Sequence, residues 1–381
     1  MRYVDEFRDG ETARELAAAI HREVEPDRTY HFMEFCGGHT HAIFRYGLPD
    51  LLPENIRLLH GPGCPVCVLP AGRVDLAIDL ARRPGVVLCT YGDLLRVPGS
   101  RRRSLLTARA EGADVRMVYS AADTLAIARE NPDREVVFFA IGFETTTPPT
   151  AVVLRQAADE GLENFSVVSN HVLTPAAMTH LLDAPDGEER TPLDGFIGPS
   201  HVSTIIGTAP YEPFARQYHK PVVIAGFEPL DVLQSIRQLV RQVNAGRAEV
   251  ENEFTRAVGR EGNPRAQSLT EAVLEPRERF EWRGLGEVPY SGLRIRPEYA
   301  AFDAEERFGL QVGRPRENQA CICPSVLRGT ARPTECSLFG TTCTPENPIG
   351  ACMVSSEGAC AAYYAYAGHR AGRAEPATEE A

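Results

Sequence analysis

Eight short apolar runs, each five to seven residues long, recur through the first 226 positions: TYHFMEF (29–35), NIRLLH (55–60), GVVLCTY (85–91), DVRMVYS (114–120), EVVFFAI (135–141), FSVVS (165–169), DGFIGP (194–199) and KPVVIAG (220–226). Most are apolar throughout rather than at alternate positions. A strand with one wet face alternates, so strands of this kind are expected to be covered on both faces, as in a parallel sheet between helices. Helical patterns fall between the runs. In 229–246, Leu230, Leu233, Ile236, Val240 and Val243 form one apolar stripe and Gly246 supplies a stop. Strand and helix in repeated alternation predict an α/β fold.

At 381 residues the chain exceeds one ordinary core. The expected division is an α/β domain at 1–135, a second parallel-sheet α/β domain at 136–245, a smaller cysteine-rich domain at 246–370 and a disordered tail at 371–381, with strands free to cross between domains. An internal echo suggests related units. FFAIGFETTTP (138–148) and VVIAGFEPLDV (222–232) share Gly-Phe-Glu after a strand, while VVSNHV (167–172) and IGPSHV (197–202) share a strand closing on His-Val.

A formal charge of -12 argues against nucleic acid as a partner, and the basic cluster Arg101, Arg102 and Arg103 reads as a solvated loop. No apolar run is long enough to span a membrane. Acids in MRYVDEFRDG stand where a secretory leader needs apolar residues, so a cytoplasmic chain is expected, its cysteines reduced unless they have a task.

Ligands of open α/β sheets collect beyond the carboxyl ends of the strands, and the unusual polar residues fall there. Cys36, two glycines, His39 and His41 follow the first run, and Cys64 and Cys67 follow the second in GPGCPVC. Glu144 and three threonines follow 135–141, His171 and His201 close two further runs, and Glu228 follows the last. Each feature alone has an ordinary explanation in turns or packing; their coincidence at five strand ends favours a site. Cys36 with His39 and His41 can bind iron or zinc, or the histidines can lower the thiol pKa for nucleophilic work. Cys89, inside VVLCTY, is expected in the core.

Cys64-Pro-Val-Cys67 has the spacing of a redox dithiol. It also fits half of a zinc knuckle, whose other half is missing nearby. Six of the ten cysteines lie in 321–360, among Gly, Pro and Thr with little periodicity. That density reads as a metal-bound, loop-rich module, with a disulfide framework as the alternative. Cys323, Cys336, Cys343 and Cys360 are separated by twelve, six and sixteen residues. That is too wide for the usual pairs of structural zinc and tolerable for a four-iron cluster, leaving Cys321 and Cys352 as spares.

Taken together, CGGHTHAIFRYGL, GPGCPVCVLP, IGFETTTP, GPSHVSTIIG and CSLFGTTCTPENPIGACMVSSEGACAAYY resemble the HypD family of hydrogenase maturation factors, over about residues 5–370. The resemblance implies two α/β domains and a third holding a [4Fe-4S] cluster on Cys323, Cys336, Cys343 and Cys360. It implies work with a small HypC-type chaperone and transient cyanide delivery from a HypE-type donor, to build an iron carrying two cyanides and one carbon monoxide, Fe(CN)2CO. By the same resemblance Cys36 holds that iron together with an amino-terminal cysteine of HypC. Cys64 and Cys67 form a redox dithiol facing the same cleft and approaching the iron, and His39, His41, Glu144 and His201 take supporting or proton-handling roles. One position departs from the family pattern: Pro324 follows Cys323 where glycine is expected. Two other classes stay open on the residues, a cluster-fed dithiol–disulfide oxidoreductase without cyanide chemistry and a zinc-stabilised binding protein.

Overall fold

The computed structural model describes residues 5–183 and 191–367. All eight predicted strands form, as β1 (Tyr30–Glu34), β2 (Ile56–His60), β3 (Val86–Thr90), β4 (Asp114–Met117), β5 (Glu135–Gly142), β6 (Phe165–His171), β7 (Gly195–Pro199) and β8 (Val222–Ala225). A ninth, β9 (Val250–Asn252), joins them at an edge. One sheet runs β2-β1-β7-β8-β9 and the other β4-β3-β5-β6, and every pairing in both is parallel. β3, β5, β6, β7 and β8 are buried at nearly every residue, as continuous apolar runs require. The tail expected at 371–381 lies outside the described residues.

The sheets do not follow the division expected at 135/136. β3 and β4 lie before it, yet they share a sheet with β5 and β6, and β7 returns to pair with β1. Parallel strands of similar composition carry little mark of which neighbour they choose, so sequence order was a poor guide to sheet membership. The echo noted above is consistent with this plan: in each sheet the strand leading into Gly-Phe-Glu pairs with the strand leading into His-Val.

The helix Pro229–Asn244 buries Leu230, Leu233, Ile236, Val240 and Val243 in a core shared with β1, β7 and β8. It ends where expected, with Gly246 in the left-handed region at φ 63°. Beyond it come two short antiparallel ribbons. β10 (Leu274–Pro276) pairs with β13 (Leu293–Ile295), and β11 (Arg279–Trp282) pairs with β12 (Gly286–Pro289). From residue 309 to 367 the described chain contains no strand, only short helical turns. The helix Cys323–Leu327 explains the departure at Pro324, because proline suits the first turn, where its missing N–H has no intrahelical partner to lose.

Candidate functional site

Because each sheet is parallel, all its carboxyl ends lie along one edge, and the two edges face each other across a cleft. Two cavities of about 310 and 430 Å3 occupy it and share His201 and Glu357 as common walls. Cys36 and Phe227, after β1 and β8, line the first. The second is lined by Gly63, Pro65 and Val66 after β2, and by Tyr91, Tyr119 and Phe143 after strands of the other sheet.

Cys36 caps the helix Gly37–Arg45, its sulfur accepting from the Gly38 N–H at 3.3 Å. Cys64 caps the short helix Pro65–Val68 in the same manner, accepting from the Cys67 N–H at 3.2 Å. The loop before Cys64 lies directly on Cys36. Gly37 donates to the Gly63 carbonyl at 3.1 Å, and a Cβ on Gly63 would stand 2.3 Å from the Cys36 nitrogen. Only glycine allows that approach. Cys64 and Cys67 are bonded to each other as a disulfide. Their helix packs against the turn Ala351–Met353, which carries Cys352 of the C-terminal module.

The surroundings of Cys36 correct one expectation. The histidines do not lower its pKa; burial, then the nearby Glu357 carboxylate, pushes the thiol well above its ordinary value. His201 stands 3.3 Å from the sulfur through Nδ1, and burial holds its own pKa at about 4, so it meets the thiol as a neutral ring. A neutral thiol beside a neutral imidazole loses its proton readily only when a cation arrives, since metal binding to cysteine releases a proton. His201 is placed to receive it.

The remaining expected residues separate. His41 lines the first cavity, half-exposed, with Nδ1 3.3 Å from the Ser356 carbonyl. His39 is fully buried and turned away, its Nε2 3.0 Å from the Ala225 carbonyl, where it fixes the end of β8. Glu144 is buried in the cleft wall rather than on its surface. It accepts from the Thr174 N–H at 2.7 Å and hydroxyl at 3.0 Å, and burial pushes its pKa up to about 7. His171 contacts the Thr150 hydroxyl at 2.8 Å, outside the residues lining both cavities, and Cys89 is fully buried in β3.

Two carboxylates escaped the sequence reading. Glu34, the one acid inside the first apolar run, is buried beneath Cys36. It accepts from the Cys36 N–H at 2.9 Å and the Thr40 hydroxyl, and it meets His60 Nδ1 at 2.8 Å. Burial raises its pKa despite those partners. Glu357 arrives from the opposite end of the chain and packs on Gly37, where a Cβ would lie 2.4 Å from its own. Its pKa is raised by burial and then by Asp93. Glu34 was marked by a charge in a buried run; Glu357 carried no local signal beyond its place three residues before Cys360.

In the module, Cys323, Cys352 and Cys360 lie close enough to perturb one another's titration, with Cys321 beside Cys323 and Cys343 close by. Those contacts lower the Cys352 pKa to about 5. Cys336 stands at the margin, its sulfur 3.9 Å from the Ala320 carbonyl. A Cβ on Gly350 would fall 2.4 Å from the Cys323 sulfur and 2.6 Å from that of Cys321, so the glycine keeps open a cradle between thiols. No group of three or more His, Cys, Asp or Glu among the described residues is already arranged around a metal position. The donor chemistry, soft thiols crowded about a glycine-lined gap, fits an iron–sulfur cluster.

Fold and site together define an α/β protein with two sulfur centres: Cys36 with a buried disulfide beside it at an inter-sheet cleft, and a cysteine-rich module packed on the disulfide's helix. The family model described as "Hydrogenase formation hypA family", HypD, matches residues 11–367. The hydrogenase expression/formation protein HupD of Azotobacter chroococcum is 66% identical over 99% of this chain and all of its own length. The hydrogenase maturation factors HypD of Azotobacter vinelandii and Escherichia coli K12 are 66% and 47% identical, over 97% and 96% of this chain and 98% of their own lengths in both cases. The chain belongs to the HypD family of hydrogenase maturation factors. Among the described residues no helix is long and apolar enough to cross a membrane.

Proposed function

We propose that the chain is the scaffold on which, together with a HypC-type chaperone, the Fe(CN)2CO fragment of [NiFe] hydrogenase is assembled, with cyanide delivered transiently by a HypE-type donor. The observation that carries the proposal is that Cys36 and Glu357 line one cavity of the cleft, with the buried Cys64–Cys67 disulfide behind the adjoining wall formed by Gly63, Pro65 and Val66. The incoming iron is the substrate. Cys36 gives up its proton as the cation arrives, with His201 and Glu357 at hand to take it, and a second thiolate comes from the chaperone. Cyanide and carbon monoxide favour Fe(II), which a soft thiolate suits.

Cys323, Cys336, Cys343 and Cys360 are the ligands that the family resemblance implies for a resident [4Fe-4S] cluster, with Cys321 and Cys352 beside them. Such a cluster supplies single electrons. The Pro65–Val68 helix, packed on the Cys352 turn, brings the disulfide against the module. Two electrons and two protons open that disulfide to two thiols behind the cavity wall formed by Gly63, Pro65 and Val66. Cys64→Ala is expected to leave the module's visible chromophore intact and abolish hydrogenase maturation; full maturation in this variant would refute the relay.

Infrared spectroscopy of the anaerobic complex with HypC tests the assignment. Cyanide and carbon monoxide bands are expected. Their absence from iron-loaded complex would favour the alternative, a cluster-fed dithiol–disulfide oxidoreductase without cyanide chemistry.

A further inference from the structure

The solvent side of the cysteine module carries unneutralised positive charge in a chain whose net charge is -12. Arg101, Arg102, Arg283 and Arg316 line a cavity of about 350 Å3 that reaches Cys321 and Cys323. Among its described lining residues Glu317 is the single carboxylate, and it is engaged by Arg283 Nη1. Arg283 also donates from Nε to the Leu69 carbonyl at 3.0 Å, two residues beyond Cys67, while its Nη2 is buried without a partner. Arg102 donates to the neutral Asn347 side chain. Arg101 and Arg316 form no ion pair among the described residues. Arg103, by contrast, is held by Asp75 and Asp79, each at 3.3 Å.

The arginine run therefore divides. Its third member fastens the loop to the body, and its first two are held left-handed, at φ 57° and 62°, and line the cavity above the thiols. Left-handed backbone at two successive non-glycine residues is uncommon. Arg101, Arg102 and Arg316 are exposed and come from two separate segments. They make a broad rim rather than a closed pocket for one small anion. Of the two thiols that line the cavity, Cys321 is half-exposed and Cys323 buried.

We infer that this arginine rim is the docking site of an acidic one-electron donor protein, whose carboxylates meet Arg101, Arg102 and Arg316 and whose redox centre faces the module at Cys321 and Cys323. The inference rests on the reading that the module holds a cluster which serves the Cys64–Cys67 bond. Each encounter oxidises the donor by one electron and reduces the module by one. Two encounters, with two protons from solvent, convert the disulfide into two thiols. Opposite charge on the two surfaces speeds encounter and makes the rate fall with added salt.

The test is anaerobic stopped-flow reduction of the full chain, followed by bleaching of its visible absorbance. The two reductants are reduced plant-type [2Fe-2S] ferredoxin, an acidic protein, and reduced methyl viologen, a cation. Arg101→Glu with Arg316→Glu is expected to slow reduction by ferredoxin roughly tenfold or more at low ionic strength and to flatten its salt dependence. Reduction by methyl viologen is expected to be unchanged or faster. Arg316→Glu alone, an exposed side chain, provides a milder variant with the same direction of effect. Equal rates for wild type and variants with ferredoxin, while methyl viologen bleaches both normally, would overturn the docking site alone. Competition by phosphate at constant ionic strength would make it a small-anion site and overturn it too. A wild type without a reducible chromophore would overturn the cluster reading as well.

Discussion

The cleft and the cysteine module solve the same problem, gathering thiols from distant positions, by different means. In the cleft each thiol is set by regular structure. Cys36 and Cys64 each follow a strand, each caps a helix, and adjacent strands β1 and β2 fix their separation. In the module no strand contributes. Cys323, Cys343, Cys352 and Cys360 are carried by turns and one-turn helices and are held by contact with one another and with the body. The cleft is therefore expected to keep its geometry without any metal, and the module to depend on what its thiols hold.

Thiol replacements give the largest effects and test that contrast first. Serine is a strong helix cap, so Cys36→Ser is expected to abolish hydrogenase maturation, by 100-fold or more, while circular dichroism and the thermal midpoint stay close to wild type. A midpoint lowered as far as by loss of a module cysteine would break the comparison. Cys343→Ser is expected to remove the visible chromophore and lower the midpoint, while the Cys64–Cys67 disulfide still forms, as thiol titration would report. Cys321→Ser and Cys323→Ser, measured side by side for iron content, sharpen the comparison within the module, because both sulfurs flank Gly350.

Smaller effects probe how each region is fixed. Burial raises the Glu144 pKa from the ordinary carboxylate value to about 7, so the folded chain holds a proton that the unfolded chain releases. The resulting stability is complete below the ordinary carboxylate range and is lost as pH rises through about 7. Glu144→Gln, which can keep both contacts with Thr174, is expected to remove that loss and gain about 3 kcal/mol over wild type above pH 8, relative to pH 4. Denaturant unfolding at the two pH values measures it, and a constant difference would contradict the assignment. Gly63→Ala forces a Cβ onto the Cys36 backbone and is expected to destabilise by about 2 kcal/mol, with reduced maturation. Arg96→Ala removes hydrogen bonds that tie the module to the body, at 3.1 Å to Pro345 and 2.6 Å to Val354. It is expected to cost about 1 kcal/mol, seen as earlier loss of the chromophore on heating.

Much of the cleft was legible in sequence because its parts are local. A continuous apolar run followed by Cys-Gly-Gly or Gly-Pro-Gly-Cys announces a strand end and a tight turn, and both occur where expected. β9 was missed because three half-buried edge residues leave no apolar run. Sheet membership was missed because pairing is decided between strands distant in sequence. Glu357 and Arg283 were missed for the same reason: each is an unremarkable charge until folding brings it against Cys36 or beneath the arginine rim. The basic run was legible as a loop but not as two functions, since only the structure separates ion-paired Arg103 from Arg101 and Arg102.

Mössbauer spectroscopy of iron-57-loaded protein in complex with HypC, compared between wild type and Cys36→Ser, bears most directly on whether one cleft thiol grips a separate iron. Wild type should show a low-spin ferrous site in addition to a four-iron cluster, and the variant should lose the low-spin site and retain the cluster. A low-spin site that survives the loss of Cys36, or that disappears only together with the cluster, would contradict the account.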